Sequence, residues 1–352
     1  MRAKLRYLAY ILALAALYLG AAKLGLTLAF TVKQITTVWP PTGLALVALF
    51  LYGYKLWPGV LLGAFVANLL TAEPAGVAFG IAIGNTLEAV VGVWLLSRVV
   101  RLQPALNRVK DVVGLVILAA LVSTMISASI GTVSLALGGL LAWAAQPRAW
   151  LLWWFGDMAG DLLFAPFLLV WFSGWRQLGK RSSFETSALL GGATLVSIGI
   201  FFGQFSFLDS HPPVTYLMFP FVVWAAFRFK QLGVTAVSLI TSVVAVLGTI
   251  AGLGPFAGSG TPQQQLIALF LYIILMTTSG LFMAVAVLQR EASEQKLLRQ
   301  AKDLKVARNK IRKELAATTQ REAHLKKSNE GIIDILDQML DETPSRLNNR
   351  SR

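Results

Sequence analysis

Apolar residues fall in ten runs, near residues 7–22, 40–53, 57–72, 76–96, 112–136, 149–172, 186–204, 214–227, 232–253 and 265–288, and most of the charge lies between them. Runs of this length predict membrane-spanning helices. The second and third are short and open on Pro40, Pro41 and Pro58. A segment of ~14–16 residues needs tilt, bilayer thinning or a re-entrant path to cross a ~30 Å core. Ten spans, or eight spans plus a re-entrant pair, therefore both remain open.

After Leu288 the pattern changes. Apolar residues recur in steps of four and three. One set of heptad positions holds Leu297, Leu304, Ile311, Thr318, Leu325, Ile332 and Met339; the other holds Ala301, Arg308, Leu315, Glu322, Asn329 and Leu336. Such a repeat predicts a parallel coiled coil whose polar core residues Arg308, Glu322 and Asn329 weaken it and fix register. A single solvated helix with a basic face is the alternative. Asp341-Glu342-Thr343-Pro344 is expected to end this helix. The organisation predicted is all-α: a transmembrane bundle of eight to ten spans over 1–290, a cytoplasmic coiled coil over 291–340 and a disordered tail over 341–352.

Composition agrees with lipid as the main solvent. Hydrophobic residues make up 56% of the chain and charged residues only 14%, against about 25% charged in soluble domains. The net charge of +14 does not indicate nucleic acid, because the basic residues of the first 288 positions sit between the apolar runs. With the N-terminus inside and ten alternating spans, the cytoplasmic segments take Arg2, Lys4, Arg6, Lys55, Arg98, Arg101, Arg108, Lys110, Arg176, Lys180, Arg181, Arg228 and Lys230. The outer loops take Lys23, Lys33 and Arg148. This asymmetry places both termini in the cytoplasm. Trp39, Trp57, Trp143, Trp150, Trp171 and Trp175 fall near span ends, as interfacial anchors do.

The first run follows Arg2, Lys4 and Arg6 and reaches Gly20-Ala21-Ala22, so it reads as a retained helix or a cleaved signal peptide. The chain has no cysteine, which excludes thiol chemistry, disulfides and thiolate metal sites. Gly76, Gly80 and Gly84, and the pairs Gly59/Gly63, Gly156/Gly160 and Gly248/Gly252, each share a helix face and predict close packing within the bundle.

Candidate chemistry lies in the ionisable residues furthest from charged loops: Glu88, Asp157 and Asp161. A carboxylate near the bilayer centre costs at least ~2.5–3.5 kcal/mol, so each should face the interior and find a partner. Asp157 and Asp161 are one helical turn apart; they share a proton, hold a cation or donor-rich ligand, or lock helices together. Asn85 shares a face with Glu88, and Asn68 lies near the end of the third run; both suit helix cross-links or a pocket lining. Ser123, Thr124, Ser127, Ser129, Thr132 and Ser134 are expected to bond back to their own helix. Arg228 reads as a topology anchor, His211 as a loop histidine, and His324 as a surface heptad residue, since Leu325 stands where a phospho-acceptor box has an acid. No metal-spaced His pair, phosphate loop or nucleophile elbow is present, and no cofactor is expected.

From Val38-Trp39-Pro40-Pro41-Thr42-Gly43 onward the sequence resembles the membrane-associated sensor domain, type one (MASE). The likeness continues through Gly53, Trp57-Pro58-Gly59 and Gly63-Ala64-Phe65-Val66-Ala67-Asn68 to Gly84-Asn85-Thr86-Leu87-Glu88-Ala89. It resumes at Trp154-Phe155-Gly156-Asp157-Met158-Ala159-Gly160-Asp161 with Pro166, then at Pro220 to Arg228 and Gly252-Leu253-Gly254-Pro255-Phe256. The resemblance implies a bacterial inner-membrane sensory module, usually followed by a histidine kinase, a cyclic-di-GMP enzyme or a PAS domain. It also singles out Trp39, Asn68, Asn85, Glu88, Asp157 and Arg228. No such output follows the coiled coil here, so no catalytic domain is expected in these residues. Output would be lost by truncation or supplied in trans by a kinase, a cyclase or a membrane transporter partner.

The function expected is ligand or ion sensing in an intramembrane polar pocket, with the change passed to a homodimeric coiled coil. Lipid and a second copy are the expected partners. A transporter or permease subunit with proton- or cation-coupled carboxylates is the rival class.

Overall fold

The computed structural model describes residues 2–27, 29–32, 35–36, 38–71, 73–174, 183–203, 214–257 and 261–348. Lys33, Trp175, Arg176, Lys180, Arg181, His211 and residues 349–352 lie outside this set. All ten apolar runs contain helix. The elements are α1 (Arg2–Thr27), α2 (Pro40–Tyr52), α3 (Trp57–Leu69), α4 (Ala75–Leu95), α5 (Val109–Gly114), α6 (Thr124–Leu137), α7 (Gln146–Gly174), α8 (Ser183–Phe201), α9 (Phe219–Arg228), α10 (Lys230–Ile250) and α11 (Pro262–Asn348). Seven helical stretches are long and apolar enough to cross a membrane; Pro40–Tyr52 and Val214–Arg228 are shorter apolar ones. The chain is a multi-pass helical membrane protein.

Proline opens α2, α3 and α9 because a first-turn residue needs no intrahelical N–H partner. Two stretches, Leu96–Val100 and Leu115–Ser123, are wound as π-helix, the second joining α5 to α6. Wide turns of this kind are rare and recur near functional sites. A short antiparallel hairpin of Ala29–Val32 with Ile35–Thr36 follows α1, a minor exception to the all-helical expectation.

Contacts divide the chain into Met1–Gln289 and Arg290–Arg352. In the first unit, small residues let backbones approach. A Cβ on Gly63 would stand 2.7 Å from that of Tyr18, and one on Gly160 would strike the Trp39 carbonyl. Gly59 faces the Ile11 carbonyl, and Gly84 faces Ile130. Gly59, Gly63, Gly80, Gly84, Gly160 and Gly248 thus serve packing inside the bundle, as expected, whereas among the described residues nothing packs against Gly76 or against Gly252, which follows α10 at positive φ.

Short helices α2 and α3 run beside α1 for most of its length. The Tyr7 hydroxyl donates to the Lys55 carbonyl (2.7 Å) at one end, and Gly25 meets the Trp39 ring at the other. Residues 7 and 25 of a helix are about 27 Å apart at 1.5 Å per residue, close to a hydrocarbon core. One buried core joins α1–α4 with α7, and a larger one joins α7–α10 with residues 262–289 of α11.

The second unit is helical to Asn348. This corrects the helix end expected at Asp341–Pro344. A proline inside a helix bends it without always ending it. Its heptad residues are exposed: Leu304 by 72% and Leu336 by 52%.

Candidate functional site

Five helices meet at a cluster of buried polar side chains between α1, α2, α4, α6 and α7. Tyr18 enters from α1 and is 1% exposed. Its hydroxyl accepts a hydrogen bond from Asn85 Nδ2 (2.9 Å) and lies within bonding reach of the Trp39 indole. Asn85 Oδ1 accepts from Ser127 Oγ (2.7 Å), which in turn accepts from Trp153 Nε1 (3.1 Å). One amide and one hydroxyl thus tie four helices together.

The carboxylates are not matched in this way. Thr42 Oγ1 donates to Asp157 Oδ1 (3.2 Å), but Asp157 Oδ2 has no hydrogen-bond partner. Glu88 Oε1 and both carboxylate oxygens of Asp161 are also unpartnered. All three acids are at most 2% exposed and close enough to interact electrostatically, with Ser127 beside Glu88 and Asp157. A buried oxygen without a donor forfeits about 1–3 kcal/mol, more if charged. Four such atoms in one neighbourhood are a strong demand for an occupant.

Next to the carboxylates is a cavity of about 20 Å³, lined by Trp39, Asn68, Asn85 and Asp157 with Trp153 and Gly156. Helix α2 is held against α7 there by a bond from Trp39 N–H to the Gly156 carbonyl (3.0 Å), and Gly160 permits that approach. Four of the residues proposed from sequence therefore share one cavity. Glu88 and Asp161 adjoin it through Asp157. Arg228 is elsewhere: at the end of α9 it donates from Nε and Nη2 to the two carboxylate oxygens of Glu185 of α8 (2.5 and 2.9 Å).

The aromatic anchors divide. Trp57 and Trp143 are exposed, while Trp150 donates to Ser129 and stacks on Trp154, and the Trp171 indole nitrogen is buried and unpartnered.

Sequence reasoning missed Tyr18, Thr42, Ser127 and Trp153. Ser123, Thr124, Thr132 and Ser134 do bond back to carbonyls of their own helix. Ser127 differs because Asn85, on another helix, takes its proton. Among the described residues, no three His, Cys, Asp or Glu side chains group as metal ligands.

Comparison with known proteins places this arrangement. The probable diguanylate cyclase DgcE of Escherichia coli (strain K12) is 24% identical over 246 residues, covering 67% of this chain and 20% of that protein. The chain therefore spans about a fifth of the length of this curated relative. No solved structure matches. The family model described as MASE1 matches residues 9–291, nearly the whole helical bundle and every residue around the cavity. By that match, the chain belongs to the MASE1 family of membrane-associated sensor domains.

Proposed function

We propose that the chain is a bacterial inner-membrane input module that takes a small ligand or ion into the Asp157 cavity. Occupancy is passed to residues 297–339, which pair with a second copy and control an output. The observation that carries this reading is the set of unpartnered carboxylate oxygens beside a cavity that four helices build. An occupant that supplies the missing donors changes how those helices are held, and differential interaction of this kind is what shifts a conformational equilibrium.

Several features support the placement in the membrane. Segments assigned to the cytoplasm by charge meet one another: Tyr7 with Lys55, Arg228 with Glu185, and Gln231 with the Leu106 carbonyl (2.9 Å). That pattern supports ten alternating spans with both termini in the cytoplasm. The output is a cyclic-di-GMP enzyme or a kinase, the former favoured by similarity to a probable diguanylate cyclase. Buried carboxylates would also serve a permease, but an array of exposed heptad leucines favours signalling.

Lack of native cysteine makes the test clean. Cells carrying the full chain with Leu304→Cys should form crosslinked dimers, several times more than with Lys305→Cys. The crosslinked fraction should change with growth medium, pH or salt. Asp157→Asn, at equal membrane level, should abolish that change. Equal crosslinking at both positions would remove the parallel seam, and an unaltered response in Asp157→Asn would remove the cavity from signalling.

A further inference from the structure

The carboxylate site has a route to the surface. The cavity shares Leu26, Ala67 and Thr71 with an open pocket between α1 and α3, whose other walls include Lys23, Thr27 and Leu70. Asn68 lines the inner cavity, next in sequence to the shared Ala67. The mouth is at the end of α1 that carries Lys23, opposite the Tyr7–Lys55 contact.

Size limits what can occupy the inner end. About 20 Å³ holds roughly one water molecule. A metabolite does not fit without opening the bundle. Charge limits it further. Glu88 from α4 interacts electrostatically with Asp157 and Asp161 from α7, with the phenol of Tyr18 from α1 as the remaining titratable group of the cluster. Helices α2 and α3 bring Thr42 and Asn68, and α6 brings Ser127, none of them ionisable in this range. Glu73, which follows α3, is buried, and Arg148, at the start of α7, is exposed. No lysine, arginine or histidine is buried among the described residues. Three ionised acids would therefore stand together without a compensating cation, which a low-dielectric interior does not tolerate.

Only a small cation satisfies both limits. A metal ion needs several convergent ligands, and the described acids do not group that way. It would also have to shed its water beside Lys23, whose like charge opposes its entry. A proton needs neither a large cavity nor a ligand shell. It can move along hydroxyls, amides and one or two waters, and the walls from Thr71 through Asn68 to Asp157 offer such groups.

We propose that the occupant is the proton itself, taken up from the Lys23 side between α1 and α3 and shared among Glu88, Asp157 and Asp161. The module then reports proton availability on that face of the membrane. Each uptake adds a proton to a carboxylate oxygen and leaves its conjugate base in the outer water. A protonated acid becomes a donor, so one proton shared by two acids turns mutual repulsion into a hydrogen bond. The signalling part of this proposal rests on the sensory reading above; the proton site itself does not.

The test uses the full chain, reconstituted in vesicles with oriented insertion. Difference infrared spectra across a pH titration should show the carbonyl stretch of protonated, buried carboxyl groups growing as pH falls. Asp157→Asn, Asp161→Asn and Glu88→Gln should each remove or shift part of that signal, while Na⁺, K⁺, Mg²⁺ and Ca²⁺ at fixed pH leave it unchanged. A pH step confined to the Lys23 side should evoke it faster than the same step on the opposite side. A band that is absent, that follows a metal ion at constant pH, or that responds only from the opposite side overturns the proposal. The wild-type titration needs no variant, so a misfolded mutant does not decide the matter. Leu304→Cys crosslinking in the same vesicles separates the two readings. Carboxyls that titrate with no change in crosslinking leave the proton site standing and overturn its coupling to signalling. Crosslinking that answers another stimulus while the carboxyls stay silent leaves the sensor and overturns the proton.

Discussion

The bundle and the exposed helix after it are inverse solutions to the same bookkeeping of solvation. In residues 1–289, acids and hydroxyls are buried while Leu17, Trp94 and Leu195 face outward, where lipid satisfies them. In residues 290–339, charged side chains are in water, as they should be, and it is the leucines that are misplaced: Leu297, Leu304, Ile311 and Leu325 are each more than 60% exposed. Each region therefore lacks a different thing. Around the Asp157 cavity, four carboxylate oxygens of Glu88, Asp157 and Asp161 have no donors; the helix has a row of apolar side chains without cover. Unmet polar capacity calls for a small polar or charged occupant. Unmet apolar area calls for another apolar surface, and in the function proposed above that surface is the heptad face of a second copy.

The comparison breaks most severely at Gly160. Helices α2 and α7 touch through this residue, with the Trp39 carbonyl and Thr42 against it. Gly160→Val has no space to enter, and backbone, unlike a flexible side chain, cannot step aside. The expected loss is about 3 kcal/mol or more. Thermal unfolding in detergent and membrane yield should both fall sharply, while Gly331→Ala in the exposed helix, where nothing lies near the added carbon, should be tolerated.

Much of this arrangement was legible in the sequence, for reasons tied to particular residues. Lipid demands that backbone groups be satisfied locally, so apolar runs had to be helices and glycine spacing had to mark contact faces. Burial cost alone pointed to Glu88, Asp157 and Asp161, and it drew Asn68 and Asn85 to them. Partner choice across helices was not legible. Ser127 looks like Ser123 four residues earlier, yet one donates to Asn85 and the other to its own helix. Tyr18 reads as ordinary apolar filling of a first span until the fold sets Asn85 beside it. Arg228 has a local explanation, its pairing with Glu185, that spacing 43 residues apart could not disclose. The hairpin after α1 was missed for want of length, although Val32, Ile35 and Thr36 favour strand.

Ser127→Ala sharpens the polar half of the comparison with an intermediate effect. Removing the hydroxyl leaves Asn85 Oδ1 without its donor and Trp153 Nε1 without its acceptor. Two buried groups stranded in this way should cost about 1–3 kcal/mol. Ser134→Ala, which loses only a bond to its own helix at Ile130, should cost much less. A thermal-shift comparison of these two variants checks the network: equal losses would mean that Ser127 joins nothing of consequence.

The smallest effect is expected in the exposed helix, and its sign is opposite. Arg308 occupies a core position of the heptad array, between Ala301 and Leu315. In a paired coil its guanidinium must snorkel outward, and its stem covers the seam less well than leucine would. Arg308→Leu should strengthen association by about 1 kcal/mol, roughly fivefold in equilibrium constant. Thermal unfolding of the bundle should be unchanged, because Arg308 is exposed. The measurement is Ile311→Cys crosslinking in membranes with and without Arg308→Leu, at matched protein level. A rise in crosslinking that also dulls the response to stimulus would show why a weak seam is retained: a coil held too firmly has one state, and a switch needs two of comparable free energy. No rise at all would mean that position 308 is outside the interface, and the seam would have to be drawn along a different face.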